Sequence, residues 1–146
     1  MHDALLTVHS LVRWIALVAA VAATLVVARD HGDRQRGGGV WGAVLTGALD
    51  LQLLVGIGLL LSLNVFANMA ETMRDPVARF FAVEHETLMV LAVVLSHVGR
   101  VLSRKAASPA AARRTALICF ALVLALLIAG TPWPFRELVG RPWVRL

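Results

Sequence analysis

The chain has 146 residues, is 59% hydrophobic and 16% charged, and its mean hydropathy is +0.78. A soluble domain is nearer 45–50% apolar with about a quarter of its residues charged, so the composition excludes an ordinary soluble fold and fits a single polytopic membrane domain. The net charge of +5 does not point to nucleic acid: the arginines collect between apolar runs, where Lys and Arg hold a loop on the cytoplasmic side, and no nucleic-acid partner is expected.

In chain order the pattern predicts an all-α, four-helix transmembrane bundle over residues 1–146, up-down-up-down. The first span runs from about Ala4 to Ala28, the second from Val40 to Phe66, the third from Phe80 to Leu102 and the fourth from Arg114 to Gly130. Each approaches or exceeds the ~20 residues that a bilayer core needs, and lipid offers no partner to unpaired backbone groups, so all are expected as helices. HGDRQRGGG (31–39) and KAASPAA (105–111) read as flexible turns. The segment 68–79, mixed in polarity and interrupted by Pro76, reads as a short helix lying on the outer interface. The tail 131–146, with Trp133 and Trp143 among prolines, suits the outer headgroup layer.

Orientation follows from loop charge. Arg29, Arg34 and Arg36 lie after the first span, and Arg100, Arg104, Lys105, Arg113 and Arg114 lie between the third and fourth, against Arg74 and Arg79 in the remaining connection. Both termini are therefore expected outside, although Arg136, Arg141 and Arg145 in the tail pull the other way. The expected location is a bacterial cytoplasmic (inner) membrane.

The chemistry-bearing residues sit at matched depth. His9 and His85 each fall about five residues into parallel spans, ~8 Å below the outer boundary. In such a bundle helices one and three are diagonal, and imidazoles reaching inward from them can hold one haem iron. The absence of a C-x-x-C-H motif excludes the usual covalent c-type attachment, and the depth match makes a bis-histidine haem b the expectation. Arg13, one turn below His9, can meet a propionate, Asp50 or Glu86. Asp50 and Gln52 lie near mid-membrane, where an acid costs several kcal/mol unless paired or protonated. Glu84 and Glu86 flank His85, and a carboxylate beside a ligating histidine can orient its ring.

Plainer readings stand beside these. His9 and His85 can snorkel to the interface, Glu84 and Glu86 can favour a helix N-terminus, and Arg13 with Asp50 can be a structural ion pair. His97, ~18 Å further in than His85, reads as an interfacial bystander. Gly42, Gly47, Gly56 and Gly58 read as close-packing positions or as room for a flat macrocycle. Met89 shares a face with His85, so copper on a His/Met pair is a further reading.

The segments HSLVRW (9–14), LDLQLLVG (49–56), VEH (83–85) and PWPFR (132–136) resemble a family of small four-helix bacterial membrane proteins commonly labelled cytochrome b. The resemblance runs the length of the chain. It implies His9 and His85 as haem ligands, with Arg13, Trp14 and Trp133 belonging to the same outer-side site. Asp50 is a departure, because some relatives carry histidine there.

The expectation that emerges is a small membrane b-type cytochrome. It would carry electrons between a quinone or outer-side partner and a larger redox or photosynthetic complex, with no catalytic residue assigned. The alternatives are a cofactor-free accessory subunit of such a complex, and a metal-binding or transport protein using His9, His85, Met89 and Glu86.

Overall fold

The computed structural model describes residues 2–30 and 34–144, all of whose regular structure is helical. Arg145 and part of the 31–39 turn lie outside the described residues. Helix α1 covers His2–Arg29. After a 3-10 turn at Arg36–Gly38, α2 covers Gly39–Ser62. Two single-turn helices follow, α3 at Met69–Thr72 and α4 at Pro76–Arg79. A π-helical segment, Phe80–His85, then leads into α5 at Glu86–Lys105, and α6 covers Pro109–Gly130.

Among the described residues, three helices are long and apolar enough to cross a membrane: His2–Arg29, Arg36–Ser62 and Pro109–Gly130. Helix α5 is not one of them. It carries Glu86, His97, Arg100, Arg104 and Lys105 and is the most polar of the long helices. The long helices pack as neighbours in the order α1–α2, α2–α5, α5–α6 and α6–α1, which leaves α1 and α5 facing each other across the centre.

Local chemistry sets the boundaries. The second span ends at Ser62, four residues before the expected Phe66, because Asn64 turns left-handed with φ 52°. Val65 N–H donates to the Leu60 carbonyl and Asn64 N–H to that of Leu61, the paired bonds of a Schellman ending with Asn in the usual glycine position. The interfacial helix expected over 68–79 is two helices. Asp75 breaks it, accepting from Val77 N–H as N-cap with Pro76 in the first turn. Helix α6 starts earlier than Arg114 because Ser108 caps it through Ala111 N–H and Pro109 follows.

The 34–39 stretch, expected as flexible, is tucked in. Gly37, Gly38 and Gly39 all have positive φ. Gly37 N–H donates to Ser103 Oγ at 2.9 Å, and a Cβ on Gly38 would stand 2.6 Å from the Phe120 ring. At the same end Arg113 donates to the carbonyls of Val27 and Ala28, and Arg36 to that of Ala106. Cations thus satisfy carbonyls that the helix ends leave open. At the opposite end His2 Nδ1 meets Ser62 Oγ at 2.9 Å.

Small residues let the helices approach closely. Ala16, Ala19, Ala20 and Ala23 of α1 are buried against Leu45 and Leu49 of α2, Ala92 of α5, and Ala116, Phe120 and Val123 of α6. The opposite side of α1 exposes Val8, Leu11, Ile15 and Val18 at helical spacing. An apolar outer surface of this kind suits lipid rather than water.

Candidate functional site

The core is tight in its basic half and open in the other. There a cavity of about 490 Å³ is lined by His9 and Arg13 of α1, Gln52 of α2, His85, and Glu86 and Met89 of α5. That volume falls within the ~300–1,000 Å³ of small-molecule sites. Apolar side chains of Leu59, Leu60, Leu63 and Phe81 complete the wall towards the mouth.

The two histidines that sequence depth matches are brought together, with ring centres 6.1 Å apart and planes 62° from parallel. Two imidazoles on opposite sides of one metal atom have ring centres ~6 Å apart, given metal–nitrogen bonds of ~2 Å. The π segment is what the sequence did not reveal. FFAVEH reads as regular helix, but a wider turn here changes the direction in which His85 leaves the backbone, and such turns recur at functional sites. His85 Nδ1 donates to the carbonyl of Gly130 at 2.8 Å, one of the open carbonyls at the end of α6. That bond fixes the tautomer of the neutral ring and leaves Nε2 with a lone pair.

The remaining polar atoms are arranged around that pair. His9 Nδ1 and Gln52 Oε1 are buried with no hydrogen-bond partner among the described residues, a cost of about 1–3 kcal/mol each if nothing else binds there. Gly56 provides room: a Cβ at that position would lie 3.2 Å from Glu86 Oε1 and 3.8 Å from His9 Cε1. A second, much smaller void of about 10 Å³ lies against His9, Gln52, His85 and Glu86.

Other expected residues are placed differently. Arg13 does not pair with Asp50 or Glu86; its guanidinium donates to the backbone carbonyl of Trp143. Trp14 Nε1 donates to the same carbonyl at 2.9 Å. Trp14, Trp133 and Trp143 form an aromatic cluster with ring centres 5.9–6.3 Å apart. Trp133 is also tied to the Ile128 carbonyl. The tail therefore folds back to the middle of α1, and Arg141 and Pro142 reach the cavity wall. Glu84 is held by Arg79 at 3.0 Å and does not line the cavity. Asp50 does not line it either. Its Oδ1 lies 2.9 Å from His97 Nε2, so the residue read as a bystander has the acid as its partner. Reasoning from sequence also passed over Phe81 and Arg141, whose ring and guanidinium stack 4.8 Å apart at the mouth; the second Pro-Trp pair, at 142–143, was the available signal.

Among the described residues no three His, Cys, Asp or Glu side chains converge as a metal-ion cage. His9 and His85 are a close pair of imidazoles instead, with ring centres 6.1 Å apart. No protein-family model, curated protein or solved structure matches the chain.

The residues present fit a flat ligand carrying a metal. The pair offers one imidazole with a fixed tautomer and one with an unsatisfied ring nitrogen. Gly56 leaves a cradle that a side chain would fill, and two guanidiniums, of Arg13 and Arg141, stand on the wall.

Proposed function

We propose that the chain is a membrane-embedded b-type cytochrome of the resembled family, an electron carrier holding one haem b between His9 and His85. The observation that carries this reading is the histidine pair, 6.1 Å apart on the wall of the cavity, with the His85 tautomer set by Gly130. When bound, the haem supplies reversible one-electron chemistry at iron, with a potential set by its axial ligands and surroundings.

The protein's own side chains do the rest. His85 is oriented by the Gly130 carbonyl, as ligating histidines are by a partner on their other nitrogen. His9 supplies the opposed nitrogen. Arg13 and Arg141 balance anionic groups on the wall, and Glu86 and Gln52 offer polar contacts there. The Trp14–Trp133–Trp143 cluster anchors the tail, whose Arg141 and Pro142 form part of the cavity wall. The apolar wall of Leu59, Leu60 and Leu63 suits approach of a quinone or another redox partner from the lipid.

The topology belongs to the same proposal. Helix α5, extended by α4 and the π segment, serves as a fourth span, with Glu86 turned to the cavity and His97 paired with Asp50 of α2. Arg29, Arg36, Arg104 and Arg113 gather at one end, which supports a cytoplasmic assignment for it; on that reading both termini and the cavity face the outer side of a bacterial inner membrane.

The decisive experiment is a dithionite-reduced minus oxidised optical spectrum of the purified protein, with a pyridine haemochrome assay for stoichiometry. One b-type haem per chain is expected. A colourless protein after expression with excess haem rejects the cytochrome reading and leaves a cofactor-free accessory subunit of a respiratory or photosynthetic complex.

A further inference from the structure

Asp50 and His97 form a hydrogen-bonded pair between α2 and α5, and the pair looks outward: its side chains are 47% and 51% exposed. Asp50 stands near the middle of α2, one of the three helices long and apolar enough to cross a bilayer. Polar groups at that depth ordinarily face a bundle interior, because lipid cannot satisfy them. Here neither α1 nor α6 covers them. On α2, Ala43, Gly47, Asp50 and Leu54 succeed one another at helical spacing on the outward side, and on α5 Val90, Val94, His97 and Val101 do the same. A Cβ added to Gly47 would meet nothing within 4 Å, so the backbone is open to close approach.

We propose that this α2–α5 face is where a second copy of the chain docks within the membrane. The inference rests on the reading of α2 and α5 as membrane spans, and is independent of haem. It follows from counting protons on the pair. In lipid the pair must be neutral overall. A neutral pair has two exchangeable hydrogens, and one of them lies in the bond between Nε2 and Oδ1. The other sits on His97 Nδ1 or on the second carboxyl oxygen of Asp50, and whichever of these lacks it is an acceptor. Each pair therefore presents one unused donor and one unused acceptor side by side. A patch of that kind is complementary to itself across a two-fold axis: the donor of each copy meets the acceptor of the other, and all four groups are satisfied. A purely apolar helix from another protein would leave them unmet.

The test counts chains. Labelled protein is reconstituted in bilayers at low density and bleached one molecule at a time, and Gly47→Cys in a Cys119→Ala background is oxidised in native membranes. Two bleaching steps and a cross-linked band of twice the monomer mass are expected. The double substitution Asp50→Leu/His97→Leu should weaken pairing about tenfold or more, from the loss of two interhelical hydrogen bonds, with helix content unchanged. Single-step bleaching of the wild-type chain overturns the proposal. So does a Gly47→Cys cross-link only to a different protein, or equally tight pairing in the double variant. Carbonate extraction reports separately on whether the chain is integral to the membrane, so failure of the span reading is distinguishable from failure of the dimer.

Discussion

The ring of His85 is fixed by the backbone of Gly130: its Nδ1–H donates to that carbonyl at 2.8 Å, 45 residues along the chain. One bond thus closes the end of α6 and sets which nitrogen of the histidine faces the cavity. Both partners are therefore testable. His85→Ala should abolish haem binding, and Gly130→Ala should weaken it mildly, because the added Cβ would stand 2.5 Å from Met89 Cε and swing that flexible side chain into the cavity. Losing the partner that orients a ligating histidine costs about 10–100-fold in affinity; Gly130→Ala keeps the carbonyl and should fall short of that, which haem titration of the two variants will read. Full haem retention in His85→Ala removes it as a ligand.

Gly56 is expected to matter for volume rather than for backbone freedom. Gly56→Val fills the space beside Glu86 and His9. Haem stoichiometry should fall well below one per chain while the helical circular dichroism stays at the wild-type level. An unchanged stoichiometry would show that the cradle beside Gly56 is not occupied by the ligand.

The tail is expected to hold the ligand in. Trp143→Ala removes one ring from the Trp14–Trp133–Trp143 cluster and loosens the carbonyl that Arg13 and Trp14 share. Transfer of haem to an acceptor globin should speed up several-fold. The equilibrium spectrum should change little, since neither histidine touches the replaced ring.

The basic end should behave as pure structure. Phe120 is fully buried against the glycine turn. Phe120→Ala should cost about 3–5 kcal/mol by cavity formation, measurable by detergent-induced unfolding. Gly38→Val combines a φ of 79° with a clash against that ring and should be comparably damaging. Haem affinity per folded molecule should be unaffected by either change.

The parts of this fold that could be read from sequence are those set by long-range composition. The runs of α1, α2 and α6 are apolar enough to announce themselves, and the equal depth of His9 and His85 followed from counting residues along two parallel helices. What escaped were features set by single residues and by register. Asn64 ended α2 early by taking a conformation usually left to glycine. The π segment was invisible because an extra residue in a turn leaves the apolar pattern of FFAV intact. His97 was measured from the outer end, where it looked isolated. Measured from the basic end, it and Asp50 lie ~12 and ~16 Å in, close enough to meet between adjacent antiparallel helices. The capture of Arg13 by Trp143 could not be read at all, since it depends on where a proline-rich tail comes to rest.

The same capture sets an order of events in the cell. Arg13 and Trp14 meet their partner only across separations of 130 and 129 residues, so both leave the ribosome long before Trp143 does. His9 likewise enters the membrane before His85, and His85 before the Gly130 carbonyl that orients it. While the chain is being made, the chamber is an unfinished room with its doorway wide open, and the last stretch synthesised closes it. On the proposed reading, the ligand enters most easily during that interval, before the tail has settled.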